Sequence, residues 1–289
     1  MIIDAHAHLW KEQKGKVDGR EVFPVGNGKS NFGGEIRQMM PPYMTDDFNS
    51  AERFIANMDY AGVNGAVITQ EEIDGSQNEY LLEAKRKYHD RLKICSLYLE
   101  NEPLEIDGFD GIKICAGRLK EQNLLKHEFV FEIANKNKMF ISIDLADGDL
   151  QTKELALLAD KYPNLRIAIG HFGMVTREKW KEQIKLAKKE NIFIESGGIT
   201  WLFNEEFYPY PSAIKAIKEA SEICGIDKLM WGSDYPRTMV EITYKMSFDF
   251  VLKSTELNEI EKELFLFKNA EKFYGFDNLV HIPEIKNML

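Results

Sequence analysis

Apolar and polar positions alternate along this chain in two periods that take turns. Ile3, Ala5 and Ala7 interleave with Asp4, His6 and His8, the period-two pattern of a strand whose polar side chains share one face. Further along, Phe48, Ala51, Phe54, Ile55 and Met58 recur at helical spacing, and Asp46 or Asp47 is placed to cap that helix, which is read as running to Tyr60. The alternation then repeats. Strands are predicted over 63–70, 92–98, 111–116, 139–145, 165–170, 192–195 and 228–231. Helices are predicted over 77–88, 127–136, 150–161, 177–189 and 212–223, with one or two more closing the chain through about Tyr274. Eight strands, nearly all followed by helices, predict a single α/β domain, a parallel (β/α)8 TIM barrel.

One stretch breaks the rhythm. Residues 10–45 carry six glycines and the pair Pro41-Pro42, with no strand or helix period. The segment is read as an irregular flap over whatever site the first strand carries, since long segments of this kind are usually functional or disordered.

In a barrel of this type the site lies at the C-terminal ends of the strands. Polar residues recur there. Strand one ends in His6 and His8, two imidazoles on one face, a spacing that suits one metal ion held by two nitrogens, with Asp4 one step deeper as their partner. Strand four places Lys113 between Gly111 and Cys115. Strand five ends in Asp144, strand six in His171, and strand eight in Asp234 followed by Tyr235-Pro236-Arg237. Singly, each has a plainer reading: Asp144 as a helix cap, Asp234 as a turn former, His171 as a loop histidine, Lys113 as the partner of a barrel carboxylate. Jointly they sit where a barrel mouth needs them. His89, His127 and His281 lack such spacing and are read as surface residues.

Composition narrows the class. A net charge of −10 over 289 residues argues against a nucleic-acid partner. No apolar run is long enough to span a bilayer, and no signal peptide is recognised at the N-terminus. Three widely spaced cysteines, Cys95, Cys115 and Cys224, suggest neither a disulfide framework nor a cysteine zinc site, which fits a reducing cytoplasm. The partner expected is a small-molecule substrate. Oligomers are common among barrels, but nothing here fixes a symmetry.

Taken together, these motifs resemble the amidohydrolase superfamily, more narrowly its amidohydrolase-related branch of decarboxylases and lactonases. The resemblance is carried by Ile3-Asp4-Ala5-His6-Ala7-His8, Gly111-Ile112-Lys113-Ile114, Pro163-Asn164-Leu165-Arg166 through His171-Phe172-Gly173, Met230-Trp231-Gly232-Ser233-Asp234-Tyr235-Pro236 and Asn269 through Phe276. It implies a distorted barrel with His6, His8 and Asp234 at metal-ligand positions and His171 as acid/base or ligand. Decarboxylase-type members place a metal-binding histidine at strand five, where this chain has Asp144, so the resemblance leans to the lactonase side.

The reading that follows is a hydrolase of a lactone or related ester-like bond. One divalent ion is expected, zinc by its nitrogen and oxygen donors with manganese as the alternative, acidifying water. Asp234 and His171 are the expected catalytic pair, and Asp144 a further candidate ligand. Arg237 and Lys113 are expected to hold a substrate carboxylate, with Trp201, Tyr208 and Tyr210 as pocket walls. The alternatives are a metal-dependent decarboxylase of an aromatic or unsaturated acid, and a barrel that binds a ligand without catalysis.

Overall fold

The computed structural model describes residues 1–286. Eight parallel strands form one sheet in the order β1 (Ile3–Ala7), β6 (Gly65–Ile68), β7 (Leu92–Leu97), β8 (Gly111–Ile114), β9 (Phe140–Ile143), β10 (Ile167–Ile169), β11 (Ile192–Glu195) and β12 (Leu229–Met230). Bonds from Ala5 N–H to Trp231 O (2.9 Å) and from His8 N–H to Tyr235 O (2.8 Å) bring the last strand back to the first and close the barrel. The helices between them include α1 (Ala51–Ala61), α2 (Asn78–Lys87), α3 (Glu128–Lys136), α4 (Thr152–Lys161), α5 (Trp180–Leu186), α6 (Ile199–Leu202) and α7 (Pro211–Cys224). Three more follow the barrel: α8 (Met246–Lys253), α9 (Glu259–Glu263) and α10 (Asn269–Tyr274). This is the TIM barrel that the alternating periods predict. Each strand is present, most of them shorter than the apolar run that announces them. Among the described residues no helix is long and apolar enough to cross a membrane.

The barrel has two apolar layers. Outward-facing strand residues such as Ile68, Ile94, Ile112, Ile141 and Ile194 pack against the helices in one continuous core. Inside the barrel, Ile3, Ala5, Val67, Cys95, Phe140 and Met230 form a second cluster, floored by Phe273, Tyr274 and Phe276. Tyr274 meets Phe140 edge-on at 4.8 Å between ring centres. The floor is apolar and sealed, so polar chemistry is confined to the opposite end.

Strand one departs from strict alternation. Its pairing with β6 shifts between Asp4 and Ala7, the signature of a bulge, and the phase of the side chains changes there. Ile3 and Ala5 point into the barrel, whereas Ala7 and Leu9 join the outer core. Asp4 therefore does not stand beneath the imidazoles as their partner. Its carboxylate accepts from Ser233 N–H (2.8 Å), Ser233 O–H (2.5 Å), Tyr244 O–H (2.8 Å) and His6 N–H (3.1 Å). It fastens the end of β1 to the loop after β12.

Residues 10–45 are not irregular. They hold an antiparallel sheet of β2 (Gly15–Val17), β3 (Arg20–Gly26), β4 (Lys29–Phe32) and β5 (Glu35–Gln38). Its three turns are Asp18-Gly19, Asn27-Gly28 and Gly33-Gly34, and both central residues of each have positive φ. Such two-residue turns match the twist of a hairpin, which is why Gly, Asn and Asp fill them. The inner edge is tied to the loop after β6 by Lys14 N–H to Asp74 O (3.1 Å) and Lys16 N–H to Glu72 O (3.0 Å).

Two smaller expectations change as well. The cap of α1 is Ser50, whose hydroxyl accepts from Arg53 N–H (3.2 Å), not Asp46 or Asp47. His127 is buried rather than on the surface. Its Nδ1 meets the Tyr98 hydroxyl at 2.9 Å and its Nε2 lies 2.8 Å from Glu121 O, so both ring nitrogens are satisfied.

Candidate active site

Above the apolar floor the barrel interior turns polar. His6 Nδ1–H donates to Glu195 Oε1 at 2.7 Å. A carboxylate only accepts, so this bond places the proton on Nδ1 and leaves the Nε2 lone pair free. That lone pair faces His8 Nε2 at 3.1 Å, and Asp234 Oδ1 lies 2.8 Å from His8 Nε2 and 3.8 Å from His6 Nε2. Two imidazole nitrogens and a carboxylate oxygen this close share either a proton or a cation. Zinc–nitrogen bonds of about 2.0–2.1 Å at a tetrahedral angle set two ligand nitrogens about 3.3 Å apart, near the spacing seen. Burial, with Arg237 adding to it, pushes His8 down to about 4, so its imidazole is neutral near pH 7 and able to ligate. The donor set fits a divalent metal ion. Glu71, from the end of β6, also brings a carboxylate oxygen within 4.8 Å of both imidazoles.

Gly232 and Gly170 make this closeness possible. A Cβ on Gly232 would stand 2.7 Å from His6 Cβ, and one on Gly170 would stand 2.0 Å from Asp144 Oδ1. Asp234 and His171 themselves adopt positive φ (58° and 51°), uncommon for residues with a side chain. The Asp234 backbone is held there by its N–H to His6 O (2.8 Å) and by Arg237 N–H to its own carbonyl (2.9 Å).

The other half of the interior is an ion-pair cluster. Lys113 is fully buried, and its Nζ lies 2.6 Å from Asp144 Oδ2 and 3.8 Å from Glu71 Oε1. His171 Nε2 stands 3.6 Å from Asp144 Oδ2, while Nδ1–H donates to Gly197 O (2.8 Å). Burial works against the charged form of Asp144, but Lys113 and then His171 outweigh it and hold the carboxyl well below its ordinary range. For His171 burial is again opposed, here by Asp144 foremost, and its pKa is raised to about 10. Burial and the Asp144 charge push Glu71 up to about 7. The ligand-capable atoms of Glu71, Asp144 and His171 also lie within 4.8 Å of one another.

A cavity of about 540 Å³ opens over both halves. Its deep wall includes Asp144, His171, Trp201, Asp234 and Arg237, and its outer wall includes Phe32, Arg37 and Met39 from the flap sheet. Trp201 Nε1–H donates to Asp234 Oδ2 at 2.7 Å. Arg237 spans Asp74 and Asp234, with Nη2–H to Asp74 Oδ2 at 2.7 Å and Nη1 3.7 Å from Asp234 Oδ1.

Of the residues singled out in the sequence, His6, His8, Asp144, His171, Asp234, Arg237, Lys113 and Trp201 converge at this mouth. Lys113 does so from beneath. It is turned onto Asp144 and lines no cavity wall, so it neutralises a buried acid instead of clamping a substrate carboxylate. Tyr208 lies elsewhere, in a groove between α7 and α8, with its hydroxyl 3.4 Å from Asp249 Oδ2. Two participants escape the sequence reading. Glu195 and Glu71 each stand at a strand's C-terminal end, so the strand-end rule that finds Asp144 reaches them too.

No curated protein matches the chain significantly. Among solved structures, a "probable 2-pyrone-4,6-dicarboxylic acid hydrolase" from Acinetobacter baumannii with citric acid bound is 21% identical, with TM-score 0.68 over 95% of this chain and 99% of that one. An amidohydrolase from Burkholderia multivorans with bound zinc is 12% identical, with TM-score 0.69 over 95% and 99%. A 5-carboxyvanillate decarboxylase from Sphingomonas paucimobilis is 14% identical, with TM-score 0.55 over 79% and 84%. These likenesses are of fold. The family model described as Amidohydrolase matches residues 3–276, nearly the whole barrel and its floor, and the chain belongs to that family.

Proposed function

We propose that this protein is a hydrolase that opens a lactone or related ester-like bond of a small polar substrate. The carrying observation is the asymmetry of the barrel mouth. His6, His8 and Asp234 form a cation-ready set, whereas the strand-five position holds Asp144, already neutralised by Lys113 at 2.6 Å. A divalent ion held by His6, His8 and Asp234, zinc for its nitrogen and oxygen donors, would polarise the scissile carbonyl and lower the pKa of water toward about 7. Asp234 accepts the proton of the attacking water. His171, charged near neutral pH, stabilises the developing oxyanion and protonates the oxygen that leaves. Arg237 has two side-chain nitrogens, Nε and Nη1, without a hydrogen-bond partner among the described residues, and they are available to a substrate oxygen. Trp201 keeps Asp234 oriented through its indole N–H.

A second reading, decarboxylation of an aromatic or unsaturated acid, is supported by the outer cavity, where Phe32, Met39, Ile73, Leu145 and Met174 offer an apolar seat for a ring. One experiment separates the two. Purified protein with zinc or manganese restored is assayed against a panel of lactones and against 2,6-dihydroxybenzoate-like acids. Lactone opening without CO2 release is expected. CO2 release with the lactones untouched reverses the order, and silence on both panels removes the enzyme reading.

A further inference from the structure

The flap sheet and the barrel mouth are joined by a buried polar chain, of which the reaction above uses only Arg237 and Asp234. Arg237 lies at its centre. Its guanidinium carbon sits 5.7 Å from the centre of the Trp10 ring, the first residue of the segment that becomes the flap. Its Nη2 donates to Asp74 Oδ2 (2.7 Å), and the other oxygen of Asp74 accepts from Gln13 Nε2–H (2.8 Å). Gln13 Oε1 in turn accepts the hydroxyl of Ser30, in β4 at the middle of the flap. Ser30, Gln13 and Asp74 are all at least 98% buried. At its far end the chain reaches Asp234, 3.7 Å from Arg237 Nη1.

A surface lid has no need of such a path. Three polar side chains removed from water are stabilised only while each keeps its partner, so the chain exists as a unit or not at all. Arg237 is correspondingly fixed on one face by Trp10 and on one edge by Asp74. What remains, Nε and Nη1, has no hydrogen-bond partner among the described residues in a side chain that lines the cavity.

We infer that Asp74 is a positioning residue: it holds Arg237 against Asp234 and, through Gln13 and Ser30, makes that placement depend on the seated flap sheet. Only the kinetic arm of its test rests on the hydrolase reading above. A guanidinium displaced by about 1 Å can cost about 10²-fold in rate, so Asp74→Ala lowers kcat/KM by about that factor. Gln13→Ala and Ser30→Ala, farther along the chain, lower it less.

The deciding experiment is a double-mutant cycle between Asp74→Ala and Arg237→Ala, with thermal unfolding run on every variant. Groups that act as one unit are non-additive, so the double variant is expected to be no slower than Arg237→Ala alone. Additive losses assign Asp74 a separate structural role and overturn the inference. The cycle is also read without substrate, as the rate of tryptic cleavage within residues 16–37 of the folded protein. Asp74→Ala, Gln13→Ala and Arg237→Ala should each speed cleavage several-fold, and the double variant no further. Unchanged cleavage in Arg237→Ala overturns the coupling whatever the kinetics show. Wild-type protein inactive on every lactone counts against the hydrolase reading, and the proteolysis then decides this one.

Discussion

The two halves of the barrel mouth handle buried charge in opposite ways. On the side of β1 and β12, two imidazole nitrogens and a carboxylate oxygen crowd one point, and His8 is kept neutral. On the side of β8, β9 and β10, the acids bring their own cation in Lys113, and His171 carries a further proton. Removing charged groups from water costs several kcal/mol apiece unless they are paired, so both halves need positive charge. One obtains it from side chains within the fold. The other has two facing imidazole nitrogens that only an ion, or an extra proton, can satisfy. A barrel mouth can therefore be rich in acids and histidines throughout and still meet its need for positive charge differently on its two sides.

The sharpest way to break this contrast is to remove both imidazoles. His6→Ala with His8→Ala should abolish bound zinc, measured by elemental analysis, and lower lactone turnover by more than about 10³-fold, the loss typical of a missing catalytic electrophile. Retained metal would place the ion on the Lys113 side instead. The converse variant attacks the other half. Lys113→Met leaves the half-buried Asp144 without its partner and should cost about 1.5–3 kcal/mol of stability in denaturant unfolding, with less lost when Asp144→Leu is added. A subtler change tests how His6 is aimed. Glu195→Gln keeps a hydrogen bond to Nδ1 but loses the charge, and metal affinity by competition titration should fall about 10- to 100-fold.

A further effect is a slope. His171 has a pKa raised from 6.5 to about 10 in the folded state. Its imidazolium therefore contributes stability in full below pH 6.5, and that contribution is lost as pH rises through about 10. Thermal unfolding followed between pH 6 and 11 should show this alkaline decline, and His171→Asn should flatten it. An unchanged decline in the variant would assign the titration to another group.

Much of this contrast is legible in the sequence, for reasons that differ residue by residue. Strands reveal themselves through period two and the barrel through the order of elements, so His171, Asp144 and Asp234 could be placed at strand ends before any coordinates. The bulge in β1 is invisible, because one extra residue in a ladder leaves no mark in composition. Strict alternation therefore puts Asp4 on the wrong face, although the imidazoles still meet. Glu195 is different, since its position at the end of β11 carries the signal by itself. The flap also had readable turns in Asp18-Gly19, Asn27-Gly28 and Gly33-Gly34, which are hairpin dipeptides. Tyr208 shows the limit of reading a loop by its aromatics, because the loop's path, not its composition, decides which way they face. The same holds for Lys113, whose partner lies on a neighbouring strand 31 positions away.

The barrel's floor carries a consequence for how the molecule is made. Phe273, Tyr274 and Phe276 follow every strand in chain order, yet they close the end of a cylinder begun at Ile3. Until that segment has left the ribosome, the nascent cylinder is open at its base, with Phe140 and Met230 wetted from below. The imidazoles at the end of β1 must wait for this segment before they stand in a dry interior.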